Sequence, residues 1–354
     1  VENPNPCPER SGPKRNRPAL RNGFPLMTDP RVLVLVSAGP TAGPTLPPAL
    51  HRLDGRARVT FGDEKSLVDA LPDADALLIW DFSSDALRGA WPGDGPRPGW
   101  VHTASAGVDR LLFPELVESD TVVTNARGIF DQPIAEYVAG MVIAMAKDFH
   151  ATADLQRRRE WRHRETRKVA GSRAVVVGSG PIGRRIGVTL TALGVGVDLV
   201  GRRGSDTDPD FGRVHASESL PAVLAEADWV VCAAPLTAAT TGMFDADAFA
   251  RMKRGAHFIN VGRGAHVVED DLVAALRSGR LGGAALDVFA SEPLEATSPL
   301  WDVPGLLVSP HMSGDTIGWR DDLAEQFADN FDRWLAGEPL VNVVDKRLGY
   351  VPRT

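Results

Sequence analysis

Ala174-Val175-Val176-Val177-Gly178-Ser179-Gly180-Pro181-Ile182-Gly183 is an apolar run closed by three glycines spaced G-x-G-x-x-G, with a helical pattern following at once. Few short stretches restrict a fold as much. The apolar run is a buried strand, and the spacing gives each glycine a mechanical task. Gly178 makes the tight turn, Gly180 lets backbone approach a ligand closely, and Gly183 lets helix pack against strand. Pro181 and Ile182 open a helix whose free N–H groups and positive dipole end suit the pyrophosphate of a dinucleotide. A glycine-rich turn with no ligand is the bland alternative, and its position between strand and helix argues against it.

The rest of the chain keeps the same rhythm. Strand-like runs at 31–37, 58–62, 74–80, 100–105 and 121–126 form a first series. A single long helix is expected over 132–150, then a second series at 172–178, 196–201, 229–235, 256–262, 284–289 and 306–311. Strands alternating with helices imply an α/β fold with parallel sheets. Six strands in the second series is the count of a complete dinucleotide-binding sheet. A last helix is expected over 316–336.

Composition narrows the function. With 354 residues, the chain can build two domains of ordinary size. A formal net charge of −7 supplies no basic face for nucleic acid. The most apolar helical stretch, 134–146, is shorter than the roughly 20 residues of a membrane span. Only Cys7 and Cys232 are present, so a disulfide framework is not expected and the reading is a reducing, cytoplasmic compartment. Residues 1–28 are rich in Pro, Arg and Asn without an apolar core, which reads as a disordered tail, and Met27 reads as the functional start. The Arg157-Arg158-Arg159 run reads as a solvated helix face, His257 and His266 as packing or surface residues, and no metal-ligand spacing is present.

The second strand of the cofactor series ends at Gly201, followed by Arg202, Arg203 and Ser205. A carboxylate here would bind the ribose hydroxyls of NAD. Its absence removes repulsion against a 2′-phosphate, and two arginines can pair with one. NADP(H) is therefore the expected preference, with NAD(H) possible. Three later strand ends carry chemistry: Arg263 in Asn260-Val261-Gly262-Arg263-Gly264, Asp287 and Glu292 in the stretch 287–294, and His311 in Ser309-Pro310-His311. Each alone has an ordinary explanation as a surface charge, a turn residue or a loop histidine. Together they would face one crevice at the carboxyl ends of the strands. Arg263 offers a planar fork for a carboxylate. His311 can exchange a proton near neutral pH, and Glu292 can orient the ring and favour its protonated form. Backbone N–H groups at Ser105, Ala106 and Gly107 could hold a substrate carboxylate.

With these motifs in this order, the chain from about residue 31 to 350 resembles the D-isomer-specific 2-hydroxyacid dehydrogenases, in particular those of the glyoxylate/hydroxypyruvate reductase kind. Thr103-Ala104-Ser105-Ala106-Gly107-Val108-Asp109 resembles the family's substrate loop, and Ala126-Arg127-Gly128 with Ala135-Glu136-Tyr137 its hinge. The resemblance implies two Rossmann-like, doubly wound parallel-sheet domains, with a cofactor domain (126–317) inserted into a substrate domain (29–125 and 318–354). It also implies hydride transfer between a nicotinamide and a small 2-keto or 2-hydroxy acid, and a homodimer. Asp287 would bind the nicotinamide carboxamide, and Ala233, Ala234 and Pro235 would line the cofactor. Pocket size would depend on Trp80-Asp81-Phe82, Trp301 and Trp319. The alternative is a nucleotide-sensing binding protein of the C-terminal-binding-protein corepressor type, because fold alone does not separate the two.

Overall fold

The computed structural model describes residues 29–36, 48–81 and 83–352, together with an antiparallel pairing of Leu20–Arg21 with Phe24–Pro25. The expectations for the remainder of 1–28, including Cys7 and Met27, and for Phe82 fall outside the described residues. The first sheet has five parallel strands: β1 (Arg31–Leu35), β2 (Arg58–Gly62), β3 (Ala76–Ile79), β4 (Trp100–Thr103) and β5 (Val122–Asn125). Their order is β2-β1-β3-β4-β5. Successive side chains point to opposite faces. Leu33, Leu35, Leu77 and Ile79 pack on one face against Leu67, Leu71 and Leu116 from the short connecting segments. Val32, Val34, Leu78 and Trp100 pack on the other, against Phe327, Phe331 and Trp334 of the C-terminal helix. Burial on both faces is why these strands read as unbroken apolar runs.

Between the sheets lie α1 (Asp131–Ala146) and α2 (Phe149–Arg158). The single helix expected over 132–150 is thus two. Asp148 adopts a left-handed conformation (φ 49°) and its side chain accepts from Ala151 N, ending one helix and capping the next. The second sheet comprises β6 (Arg173–Val177), β7 (Gly196–Gly201), β8 (Ser205–Asp208), β9 (Gly212–Ala216), β10 (Trp229–Cys232), β11 (His257–Asn260), β12 (Gly283–Leu286) and β13 (Leu306–Val308). Its order is β8-β9-β7-β6-β10-β11-β12-β13, parallel except for β8 against β9. The strand order reverses about β6 and β10, which places a crevice at their carboxyl ends, beside Gly178 and Ala233. α3 (Pro181–Ala192) leaves the glycine loop with proline in its first turn, where a missing N–H costs nothing.

Two strands here, β8 and β9, were not expected. Ser205–Asp208 is polar throughout and mostly exposed, so no hydrophobic pattern announces an edge hairpin. α4 (Trp319–Ala336) then closes the chain's return to the first sheet, where Val344 N donates to Val123 O (2.8 Å) and Val343 bridges to Thr124. Among the described residues no helix is long and apolar enough to cross a membrane, and no group of His, Cys, Asp and Glu is placed to hold a metal ion.

Candidate functional site

The glycine loop has the shape a dinucleotide needs. Gly178 has φ +123°, and a Cβ there would lie 2.4 Å from Ala233 O. A Cβ on Gly183 would lie 1.8 Å from Gly178 O, so helix and strand touch through bare backbone. Gly180 differs: nothing stands within 4 Å of a Cβ built on it. The first and last glycines are forced by protein contacts, while the middle one faces open space at the N-terminus of α3. That combination fits a pyrophosphate. Ala233, Ala234 and Pro235 continue from β10 along the same edge, with Ala233 N donating to Val177 O (2.8 Å). Cys232 beneath them is wholly buried, and burial pushes its thiol up to about 12, which makes it an inert packing residue.

At the end of β7, a Cβ on Gly201 would lie 2.3 Å from Ser179 Oγ. The second residue of the glycine loop therefore fills the place where a side chain at 201 would start. Arg202 and Arg203 follow, both exposed, and no carboxylate pairs with either among the described residues. Ser205 begins β8 and is also exposed. Sequence reasoning missed the wall behind them. Arg184 of α3 donates to Ser179 O (3.2 Å) and pairs with Asp208 and with Asp210 (2.9 Å). The Arg184 hydrogen bond, outweighing burial, holds the Asp208 carboxyl down to about 2. This clamp ties the β8–β9 hairpin to the start of the helix.

The catalytic candidates come together from three strand ends. Arg263 follows β11, its Nε donating to Asp109 Oδ1 (3.0 Å) and its Nη1 to Gly262 O (2.9 Å). Asp109 belongs to the loop after β4, so the pair joins the two sheets' loops. Gly107 lies against the same guanidinium, with no room for a side chain: a Cβ there would be 1.6 Å from Nη2. The 103–109 loop is held by Asn125 Nδ2 donating to Ala106 O (2.6 Å) and Ala126 N donating to Ser105 O (2.9 Å). Ser105 Oγ itself donates to Gly107 O (2.6 Å). His266, read from sequence as a packing or surface residue, is wholly buried and accepts from Arg263 N through Nδ1 (3.0 Å). Burial lowers its basicity, so the neutral ring serves as this acceptor. His257 is packing: it lies 4.7 Å from the Trp229 ring, and burial pushes it down to about 4.

His311 Nδ1 donates to Glu292 Oε2 (2.8 Å), while Glu292 Oε1 accepts from Phe289 N (2.8 Å). Burial alone would push the Glu292 carboxyl up. The hydrogen bonds from His311 and Phe289 and the charges of His311 and Arg263 outweigh it, leaving the carboxyl below its usual value. The loops after β11 and β12 touch, since a Cβ on Gly264 would lie 1.8 Å from Phe289 C, which brings Arg263 and the Glu292–His311 pair to adjoining strand ends. His311 sits at φ +51°, uncommon for a residue with a side chain, and its N–H donates to Asp287 O (2.8 Å). Asp287 is wholly buried, accepting from Ser309 Oγ (2.6 Å), Met312 N (3.0 Å) and Ser313 N (2.9 Å). It braces the histidine loop, and a carboxamide contact would have to share those oxygens. Below, Tyr137 hydroxyl meets Ser309 Oγ at 2.5 Å, and burial pushes the phenol up to about 12. Neither Tyr137 nor Ser309 was singled out as part of this network from sequence.

Residues 139–313 match the model of the NAD binding domain of the D-isomer specific 2-hydroxyacid dehydrogenases. A glyoxylate/hydroxypyruvate reductase A from Serratia proteamaculans is 30% identical over 285 residues, 78% of this chain and 88% of that protein. The chain belongs to the D-isomer specific 2-hydroxyacid dehydrogenase family. It is an NAD(P)-dependent oxidoreductase of that family. Solved structures agree in fold. An NADPH-dependent glyoxylate/hydroxypyruvate reductase from Sinorhizobium meliloti, in complex with NADP and sulfate, superposes with TM-score 0.76 at 28% identity, covering 91% of this chain and all of that one. A family member from Xanthobacter autotrophicus Py2, in complex with NADPH and MES, superposes with TM-score 0.74 at 33% identity, covering 90% and 99%. The two-domain fold of 2-hydroxyacid dehydrogenases is therefore the architecture of this chain.

Proposed function

We propose that this chain is an NADP-preferring reductase of small 2-keto acids in the glyoxylate and hydroxypyruvate range, with residues 126–317 binding the coenzyme and 29–125 with 318–354 the substrate. The observation that carries the reading is Arg263 on Asp109 and His311 on Glu292 at the ends of adjoining strands, beside a glycine loop open over Gly180. When bound, the nicotinamide supplies the hydride to the carbonyl carbon or takes it back. Arg263 grips the substrate carboxylate through N–H groups that Asp109 and Gly262 O hold in plane. Backbone N–H groups at Ser105–Gly107 take part in the same grip. His311 gives its Nε2 proton to the carbonyl oxygen in reduction and removes it in oxidation. Glu292 accepts from Nδ1 and so turns Nε2 toward the substrate.

Coenzyme preference follows from the end of β7, with Arg202, Arg203 and Ser205 receiving the 2′-phosphate. A charge-assisted hydrogen bond contributes about 1.5–3 kcal/mol, or roughly 10- to 150-fold. Wild-type kcat/KM is expected to be higher with NADPH than with NADH by at least the lower figure. The contact between Gly201 and Ser179 sharpens the prediction. Gly201→Asp alone weakens NADPH and gains less NADH than the combined variant, because the Ser179 hydroxyl must turn aside and its Cβ stays close. Adding Ser179→Gly and neutral residues at 202 and 203 makes room for the carboxylate and turns preference toward NADH. Steady-state kinetics with both coenzymes checks this, and equal wild-type efficiency with NADH contradicts it.

The active unit is a homodimer formed through the cofactor domain with the 132–160 region contributing. Phe149, the first residue of α2, is half exposed and Trp161, just past the end of α2, is fully exposed, and a partner would cover both. Light scattering at micromolar concentration gives twice the chain mass, and a single-chain mass rules the dimer out.

A further inference from the structure

Arg202 leaves β7 where the adenosine end of a dinucleotide lies in a doubly wound sheet. Its guanidinium carbon stands over the ring of Tyr350, 5.8 Å from the centroid. Tyr350 belongs to the other half of the molecule, in the C-terminal segment that returns to the first sheet. That segment is firmly fixed. Lys346 Nζ donates to Leu116 O (3.0 Å), Ser119 O (2.6 Å) and Thr121 O (3.0 Å), and Arg127 Nη1 donates to Val351 O (2.9 Å). The turn carrying the ring is closed by Asp345 N donating to Tyr350 O (3.1 Å) and Gly349 N donating to Asp345 O (2.9 Å). Asp345 Oδ1 accepts from Arg347 N and Leu348 N, both at 2.9 Å, so it is engaged within its own turn. The aromatic face is therefore delivered to Arg202 by a braced support.

A guanidinium carries five N–H donors, more than one ring contact can occupy. A cation held beside the ring therefore keeps donors available to an anion. An exposed arginine otherwise loses rotamer freedom when it grips a phosphate, and a ring that already holds it removes part of that loss. We propose that Tyr350 is a positioning residue for the 2′-phosphate of NADP(H), holding Arg202 in its gripping orientation from the opposite lobe. The 2′-phosphate end of the coenzyme is then served by both halves of the molecule, and the C-terminal turn takes part in coenzyme choice. This rests on the NADP preference argued above.

The test measures KM and kcat with NADPH and with NADH for wild type, Tyr350→Ala, Tyr350→Phe, Arg202→Ala and the Tyr350→Ala/Arg202→Ala double variant. Loss of an exposed cation–π contact corresponds to roughly two- to fivefold. Tyr350→Ala raises KM for NADPH by that factor, with kcat and the NADH constants unmoved. Tyr350→Phe, which keeps the ring, stays at the wild-type value, and Tyr350→Ala adds nothing once Arg202 is gone. If wild type prefers NADPH but Tyr350→Ala weakens both coenzymes equally, or its effect survives in the Arg202→Ala background, the positioning role is overturned and the NADP reading stands. If wild type prefers NADH, that reading falls and the role falls with it.

Discussion

His311→Ala lowers kcat for keto-acid reduction by roughly 10²–10⁴-fold, the range that a positioned general acid contributes. The ring is half exposed in the cleft, with Nδ1 committed to Glu292, so Nε2 is the nitrogen left to meet a substrate. KM for NADPH should change little, because the histidine stands on the loop after β13, away from the glycine loop after β6. Glu292→Gln separates orientation from charge. The amide still reaches His311 Nδ1 and keeps substantial activity, but the carboxylate charge is gone. Orientation without charge leaves kcat between the wild-type value and that of His311→Ala. A kcat equal to wild type would show that Glu292 acts through packing alone.

The second large effect belongs to Arg263. Arg263→Ala should lose most of kcat/KM for keto acids and leave NADPH affinity nearly intact. Lysine in its place should restore only part of it. A point charge cannot give the bidentate grip, and its ammonium cannot keep both the Asp109 contact and the Gly262 carbonyl contact in one plane. Asp109 would then be left with a weaker partner between the two lobes, so some loss should appear in substrate KM even with Lys. If Arg263→Ala weakens NADPH binding as much as keto-acid turnover, the arginine serves the cofactor instead of the substrate. Wild-type and variant melting temperatures within a few degrees of each other separate chemistry from folding.

Local signals carried much of this molecule in plain view. β1, β3, β6 and β10 are apolar because both faces of each sheet are covered, and the glycine loop shows its turn in its spacing. Arg263, Glu292 and His311 stood out because charged residues follow successive apolar strands. What stayed hidden depended on contacts distant in sequence or on side chains without a pattern. β8 is four polar residues, and the clamp that fixes it joins Arg184 to Asp208 through no spacing rule. The break at Asp148 turns on one left-handed residue. Ser179 under Gly201, Asp109 on Arg263 and His266 behind its backbone are tertiary contacts between residues that look ordinary in the text. The return of α4 to the first sheet could be stated only by family resemblance, since Phe327 and Trp334 do not announce which sheet they cover.

The most direct measurement of the central claim is NADPH absorbance on adding glyoxylate or hydroxypyruvate to purified protein, with His311→Ala as control. Wild type is expected to consume the coenzyme in step with the keto acid, and the histidine variant to bind NADPH while consuming almost none. Coenzyme that binds tightly but is never consumed, across a panel of 2-keto acids and with NADH as well, would contradict the reductase account and favour a nucleotide-sensing role on the same fold.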